Sequence, residues 1–258
     1  MKKFLLLTTA TLFLSFALRK DIITSGNFKI YSSNTLKEST VNDIVSEIKN
    51  YDVVFFGEEH NDSVAHFLEQ EILKGLYASF GSNAALSMEM FESDCQLTLD
   101  EYLQDLIREK NFIKEARAWK NYRDYKPLIE FAKEKKLNVI AANAPARYVN
   151  MASRNGQNSL AELSKTAKSF LPPLPYDTAG GKYYEKFMSV MADGRSTGAT
   201  SKDTSNKIVP VTNSMMPKYV VHSQSLWDAT MAYSISKIFM RNKNAKVLQL
   251  NGRFHSDE

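Results

Sequence analysis

Cysteine is almost missing from this chain of 258 residues, where Cys95 stands alone. An internal disulfide is therefore excluded. Cys95 is either a buried, inert thiol or a bridge to a second chain. Internal repeats and low-complexity tracts are also missing, so nothing points to a repeat architecture. Charge of one sign is scarce too: the formal balance is only +4, and basic residues are interleaved with acidic ones. No basic patch of the kind that holds nucleic acid results. The one long apolar stretch, 4–14, follows Lys2 and Lys3 and is diluted from Thr8 to Thr11. It is too short for a membrane span and suits a signal peptide, with Ser15-Phe16-Ala17 as the cleavage site. Residues 1–17 are thus expected to be removed on export to a periplasm or cell surface. No cysteine lies near that site, so a lipid-anchored form is not supported. The remaining 18–258 read as a single α/β domain, large enough to bury a core without staples.

What is present is a repeated spacing. Gly57-Glu58-Glu59-His60 recurs near the other end as Gly252-Arg253-Phe254-His255, and each copy follows a short apolar run. A run of that length, stopped by glycine and then polar groups, reads as a buried parallel strand leaving its sheet. Strands are expected at 28–31, 51–56, 84–90, 138–142 and 246–250. Helices are expected at 41–48, from Asp62 or Ser63 to about 80, from about 96 to 108, at 126–136 and at 219–240. The alternation predicts a mostly parallel sheet with flanking helices and right-handed crossovers. Segment 147–218 breaks the pattern with Pro172, Pro173, Pro175 and a Gly180-Gly181 pair. It reads as a helical insert, or lid, over the sheet edge, with short helices at 160–170 and 182–191. It looks too poor in apolar residues for a core of its own, and its stretch 193–207 is expected to be mobile. The chain stops three residues after the second histidine. No helix follows to cover that last strand, which suggests truncation at the C-terminus.

Four strand exits then converge at the carboxyl edge, where open α/β sheets bind ligands. They carry Glu58, Glu59 and His60; Glu89 and Glu92; Asn143; and Asn251, Arg253 and His255. Two imidazoles with carboxylates suit a divalent first-row metal. In a hydrolase, His60, Glu89 and His255 would hold that metal and Glu59 would act as general base on its water. The same residues could simply cap helices and satisfy loop backbone. His66 reads as a packed or surface histidine, and His222 could face the rim or not. Gln224 and Asp228 stand four apart on the late helix and share a face. The insert contributes Tyr176, Tyr183 and Tyr184, with Met188, Met191, Met215 and Met216. Tyrosinate can ligate ferric haem and methionines make adaptable apolar walls, but lid packing needs the same residues.

Six stretches carry a resemblance. They are 56–62 (Phe-Gly-Glu-Glu-His-Asn-Asp), 87–92 (Ser-Met-Glu-Met-Phe-Glu), 122–125 (Tyr-Arg-Asp-Tyr), 143–145 (Asn-Ala-Pro), 224–230 (Gln-Ser-Leu-Trp-Asp-Ala-Thr) and 251–256 (Asn-Gly-Arg-Phe-His-Ser). In this order the chain resembles the ChaN family of the haem-binding uptake, Tiki-like superfamily, over about 51–258. The resemblance implies an exported, bacterial, iron-regulated protein that takes up or handles haem. It would be periplasmic or associated with the outer membrane, with an outer-membrane uptake partner. It implies a homodimer in which haem is held face to face near the interface through a tyrosine. Tyr176, Tyr183 and Tyr184 are the ranked candidates, and Arg123 and Arg147 are candidate propionate partners. It also implies kinship with metal-dependent proteases and erythromycin esterases, which keeps the hydrolase alternative and its divalent metal in view. Many members carry a lipid-anchor cysteine that this chain lacks, and relatives usually continue past the final G-x-x-H.

Overall fold

A computed structural model describes residues 23–196 and 217–256. The expected signal segment 1–17, the part of 193–207 beyond 196, and Met215 and Met216 lie outside the described residues. The described chain opens with a two-stranded antiparallel ribbon, β1 (Ile30–Tyr31) and β2 (Glu38–Ser39), of which only β1 falls in an expected strand. Helix α1 (Val41–Ile48) begins at Thr40. The Thr40 Oγ1 accepts from the Asp43 amide at 3.2 Å and Asp43 Oδ2 accepts from the Thr40 amide at 2.8 Å. This reciprocal pair satisfies two donors that a helix start leaves free.

The central sheet has four parallel strands in the order β3 (Val53–Glu58), β6 (Lys246–Gly252), β4 (Ala84–Glu92), β5 (Asn138–Asn143). Strand β4 lies inside the sheet and is buried from Ala84 to Phe91. Its near-continuous apolar run follows from having both faces covered. One face carries α2 (Ser63–Phe80) and α5 (Tyr122–Lys135), packed through Ile72, Leu73, Leu76, Tyr125, Leu128 and Ile129 onto Leu86, Met88, Leu248 and Leu250. The other carries α9 (Val220–Arg241), whose Ile235 and Ile238 meet Ala85 and Val247. Gly75 lets α1 approach α2: a Cβ there would stand 2.3 Å from Val45 Cγ2.

Between β4 and β5 run α3 (Gln96–Leu103), α4 (Glu109–Glu115) and α5. No side chain caps the start of α3. Its Gln96 instead bonds the backbone of β5, donating to the Val139 carbonyl at 2.9 Å and accepting from the Ala141 amide at 2.8 Å. One side-chain amide thus takes the place of a further strand at that edge. Helix α4 and the early start of α5, at Tyr122 rather than 126, were not expected.

The insert begins with a regular helix, α6 (Ala146–Asn155), packed on α9. A 3-10 turn at Gln157–Glu162, short α7 (Lys165–Lys168) and α8 (Gly181–Ser196) follow. The helix expected at 160–170 is therefore split. The insert's apolar residues form a small core shared with the rest of the domain, which was not expected. Val149, Ala152, Leu160, Leu171 and Tyr176 bury against Ala144 and Leu226. It was missed because α9, far along the sequence, supplies one of its walls.

Candidate functional site at the carboxyl edge of the sheet

The two G-x-x-H runs leave adjacent strands. Gly57 pairs with Asn251 and Glu58 with Gly252. Both glycines are needed for close approach. A Cβ on Gly252 would stand 2.9 Å from the His60 ring, and one on Gly57 would stand 2.8 Å from the Arg253 Cα. Strand β4 reaches the same rim through an irregularity between Met88 and Glu92, where it carries more residues than β5. A bulge of this kind re-aims side chains, and Glu89 lies within it.

Glu89 accepts from the Gly252 amide at 2.7 Å and lies 3.6 Å from His255 Nε2. The other His255 nitrogen, Nδ1, is 2.5 Å from Asp228 Oδ1 and 3.1 Å from the Gln224 amide nitrogen. Asp228 in turn accepts from the Tyr183 hydroxyl at 2.7 Å. The shared helix face read for Gln224 and Asp228 is the face that grips His255. Burial acts to lower the His255 pKa, but the hydrogen bonds its ring donates to Asp228 and Glu89, with their negative charge, outweigh it and push the value up to about 9. Burial likewise acts to raise Glu89, and His255 holds its carboxyl below the usual range.

His60 sits a strand away. Its Nδ1 is 2.7 Å from Glu58 Oε1, and the ring meets Trp119 edge-on at 4.9 Å. Its carbonyl accepts from Asn121 at 2.8 Å. The Glu58 contact raises the His60 pKa. Glu58 also accepts from the Tyr125 hydroxyl at 2.5 Å. Glu59, expected as a general base, has a side chain 67% exposed and is taken by Arg253. The carboxylate that enters the protein from this run is its neighbour Glu58.

Among the described residues, the three ligand-bearing groups that lie within 4.8 Å of one another are Glu58, His66 and Glu69. The expected rim set is arranged differently. Glu89 and His255 touch, while His60 turns to Glu58. His66 is packed, as expected, but against two carboxylates. Glu69 had no sequence signal beyond its i,i+3 spacing from His66, which puts both on one face of α2.

The insert lies against the rim through α8. Tyr183 and Phe187 meet Phe254 with ring centroids 5.8 and 6.0 Å apart. The three candidate tyrosines differ. Tyr176 is buried and donates to the His222 carbonyl at 2.8 Å. Tyr183 is held on Asp228 and Gln224. Burial raises the pKa of both phenols, and Asp228 adds to it at Tyr183. Tyr184 is 41% exposed, and Met188 and Met191 follow at i+4 and i+7 on the same helix face. His222, on α9, is turned to the insert rather than the rim, since its Nδ1 accepts from the Gln157 amide at 3.1 Å. Arg123 is exposed at the start of α5. Arg147 is exposed and pairs with Asp94, which Arg117 also binds. Cys95 is buried and its thiol is pushed up to about 12 by burial, which fits an inert thiol.

No curated protein matches this chain. A ChaN protein of Campylobacter jejuni, solved as a structure with cofacially bound haem, is similar in fold. Its TM-score is 0.59 at 16% identity, with 87% of this chain and 79% of that chain covered. The profile of the haem-binding uptake, Tiki superfamily, ChaN family matches residues 44–258. That span takes in the end of α1, the whole parallel sheet, the rim and the insert, and the chain therefore belongs to the ChaN family.

Proposed function

We infer that this chain is an exported haem-binding protein serving iron or haem uptake. The family match over 44–258 carries this reading. Haem is the cargo, and the chain's part is to ligate its iron and cover its faces. An axial phenolate must present its oxygen outward, and an apolar wall must accept the porphyrin. Tyr184 with Met188 and Met191 fits both needs. The hydroxyls of Tyr176 and Tyr183 are engaged inside the protein, which moves Tyr184 to the head of the candidates. Arg123 and Arg147 are offered to the propionates on charge grounds. Export, a homodimer with face-to-face haems and an outer-membrane partner are parts of the same proposal.

Hemin titration of the purified chain tests it. A saturable Soret band is expected, lost in Tyr184→Phe and kept in Tyr176→Phe. A folded chain that leaves hemin in solution sinks the reading. The hydrolase alternative has the Glu89–His255 contact in its favour. It requires turnover on peptide or ester panels that Glu59→Gln abolishes, and silence on those panels removes it.

A further inference from the structure

Glu58, His66 and Glu69 form a buried cluster that haem ligation does not use. Glu58 is 2% exposed and Glu69 is fully buried, and the His66 side chain is 9% exposed. The His66 Nδ1 lies 3.3 Å from both Glu58 Oε2 and Glu69 Oε2. Glu58 Oε2, Glu69 Oε1 and His66 Nε2 are buried with no hydrogen-bond partner. Two carboxylates facing each other out of water repel strongly, and an unpaired buried oxygen is costly. One imidazole can balance at most one of them. The surroundings are arranged as an outer shell. Tyr125 and His60 hold the far oxygen of Glu58, leaving Oε2 to point inward. The ring of Tyr125 meets His66 edge-on at 4.7 Å, fixing the imidazole.

We propose that Glu58, His66 and Glu69 form a structural site for a divalent first-row transition cation, buried behind the rim and joined to it through Glu58. Two carboxylate oxygens and one imidazole nitrogen, with no sulfur, suit manganese, iron, cobalt or zinc in the divalent state. Such an ion would tie the start of α2 to the end of β3. Through Glu58 it would also touch the orientation of His60 at the rim. The competing occupant is a proton on Glu69, whose carboxyl burial pushes up to about 8.

The chain, stripped with chelator and free of hemin, is loaded with Co(II), desalted and assayed by elemental analysis and visible absorption. Retention of one equivalent is expected in the wild type and in His255→Gln. Affinity should fall at least about tenfold in Glu69→Gln and His66→Gln. Proton NMR of the wild-type Co(II) protein reads the site without any variant. One hyperfine-shifted imidazole N–H places the ion on His66, whereas two place it on His60 and His255. A wild type that retains no cobalt, two shifted imidazoles, loss of the metal in His255→Gln, or undiminished binding in Glu69→Gln overturns the proposal. Because hemin is left out, these outcomes stand apart from those of the haem reading.

Discussion

His255 shows how much one side chain at the rim depends on its neighbours. It is held by Asp228 on α9 and Glu89 on β4, and its pKa rises from 6.5 to about 9. A raised value means that the folded state holds the proton more tightly than the unfolded chain does. The resulting stabilisation is complete below pH 6.5 and is lost as pH rises through 9. Its size is bounded at about 3 kcal/mol. Urea midpoints of metal-free protein should therefore fall between pH 6.5 and 9. Asp228→Asn should flatten that fall, and an unchanged profile would show that Asp228 does not hold the proton there. Gly252 is the second sensitive position. Its α-hydrogen faces the His60 ring, and Gly252→Ala should cost about 1–3 kcal/mol through overpacking and move the His60 NMR signals. Both glycines and both histidines of the repeated spacing were legible as a pair. The buried role of Glu58 was not, because the apolar-then-polar pattern says that the strand ends but not which carboxylate turns inward.

Among elements, the helix starts were read best where local hydrogen bonds decide them. Asp62 caps α2 by accepting from the Val64 amide at 2.8 Å, and helix 41–48 has the expected bounds. Reading failed where tertiary packing overrides local pattern. Helix α6 looked like the start of an irregular insert because its apolar positions are few, but Val149 and Ala152 bury against Leu226 of α9. The crossing of α1 and α2 is a contact of this kind that can be measured. Gly75→Ala should destabilise by about 1–3 kcal/mol, because the new methyl overlaps Val45. Val45→Ala in the same chain should restore part of that loss. A double-mutant cycle in urea reads the coupling, and strict additivity would mean that the helices adjust freely.

For the whole molecule, the haem reading has a thermodynamic consequence. A ligand that binds only the folded state raises stability by about 2.7 kcal/mol at a hundredfold excess over its Kd. The melting temperature should climb with the logarithm of hemin concentration. If haem is held between two copies, sedimentation should show the mass doubling as hemin is added; a monomer at saturation would reject the face-to-face pair while leaving binding intact. The class of the fold, a parallel sheet with helices on both faces, could be read along the chain because hydrophobic period and helix caps are local signals. So could the family, because six short motifs stand in a fixed order. The order of the strands could not. Strand β6 inserts between β3 and β4, and only this non-local pairing puts Gly57 beside Asn251 and His60 beside Gly252. The Glu58–His66–Glu69 cluster likewise exists only once β3, α2 and α5 have packed. Burial strips water from both carboxylates, and no pattern along the chain records which polar groups will lose it.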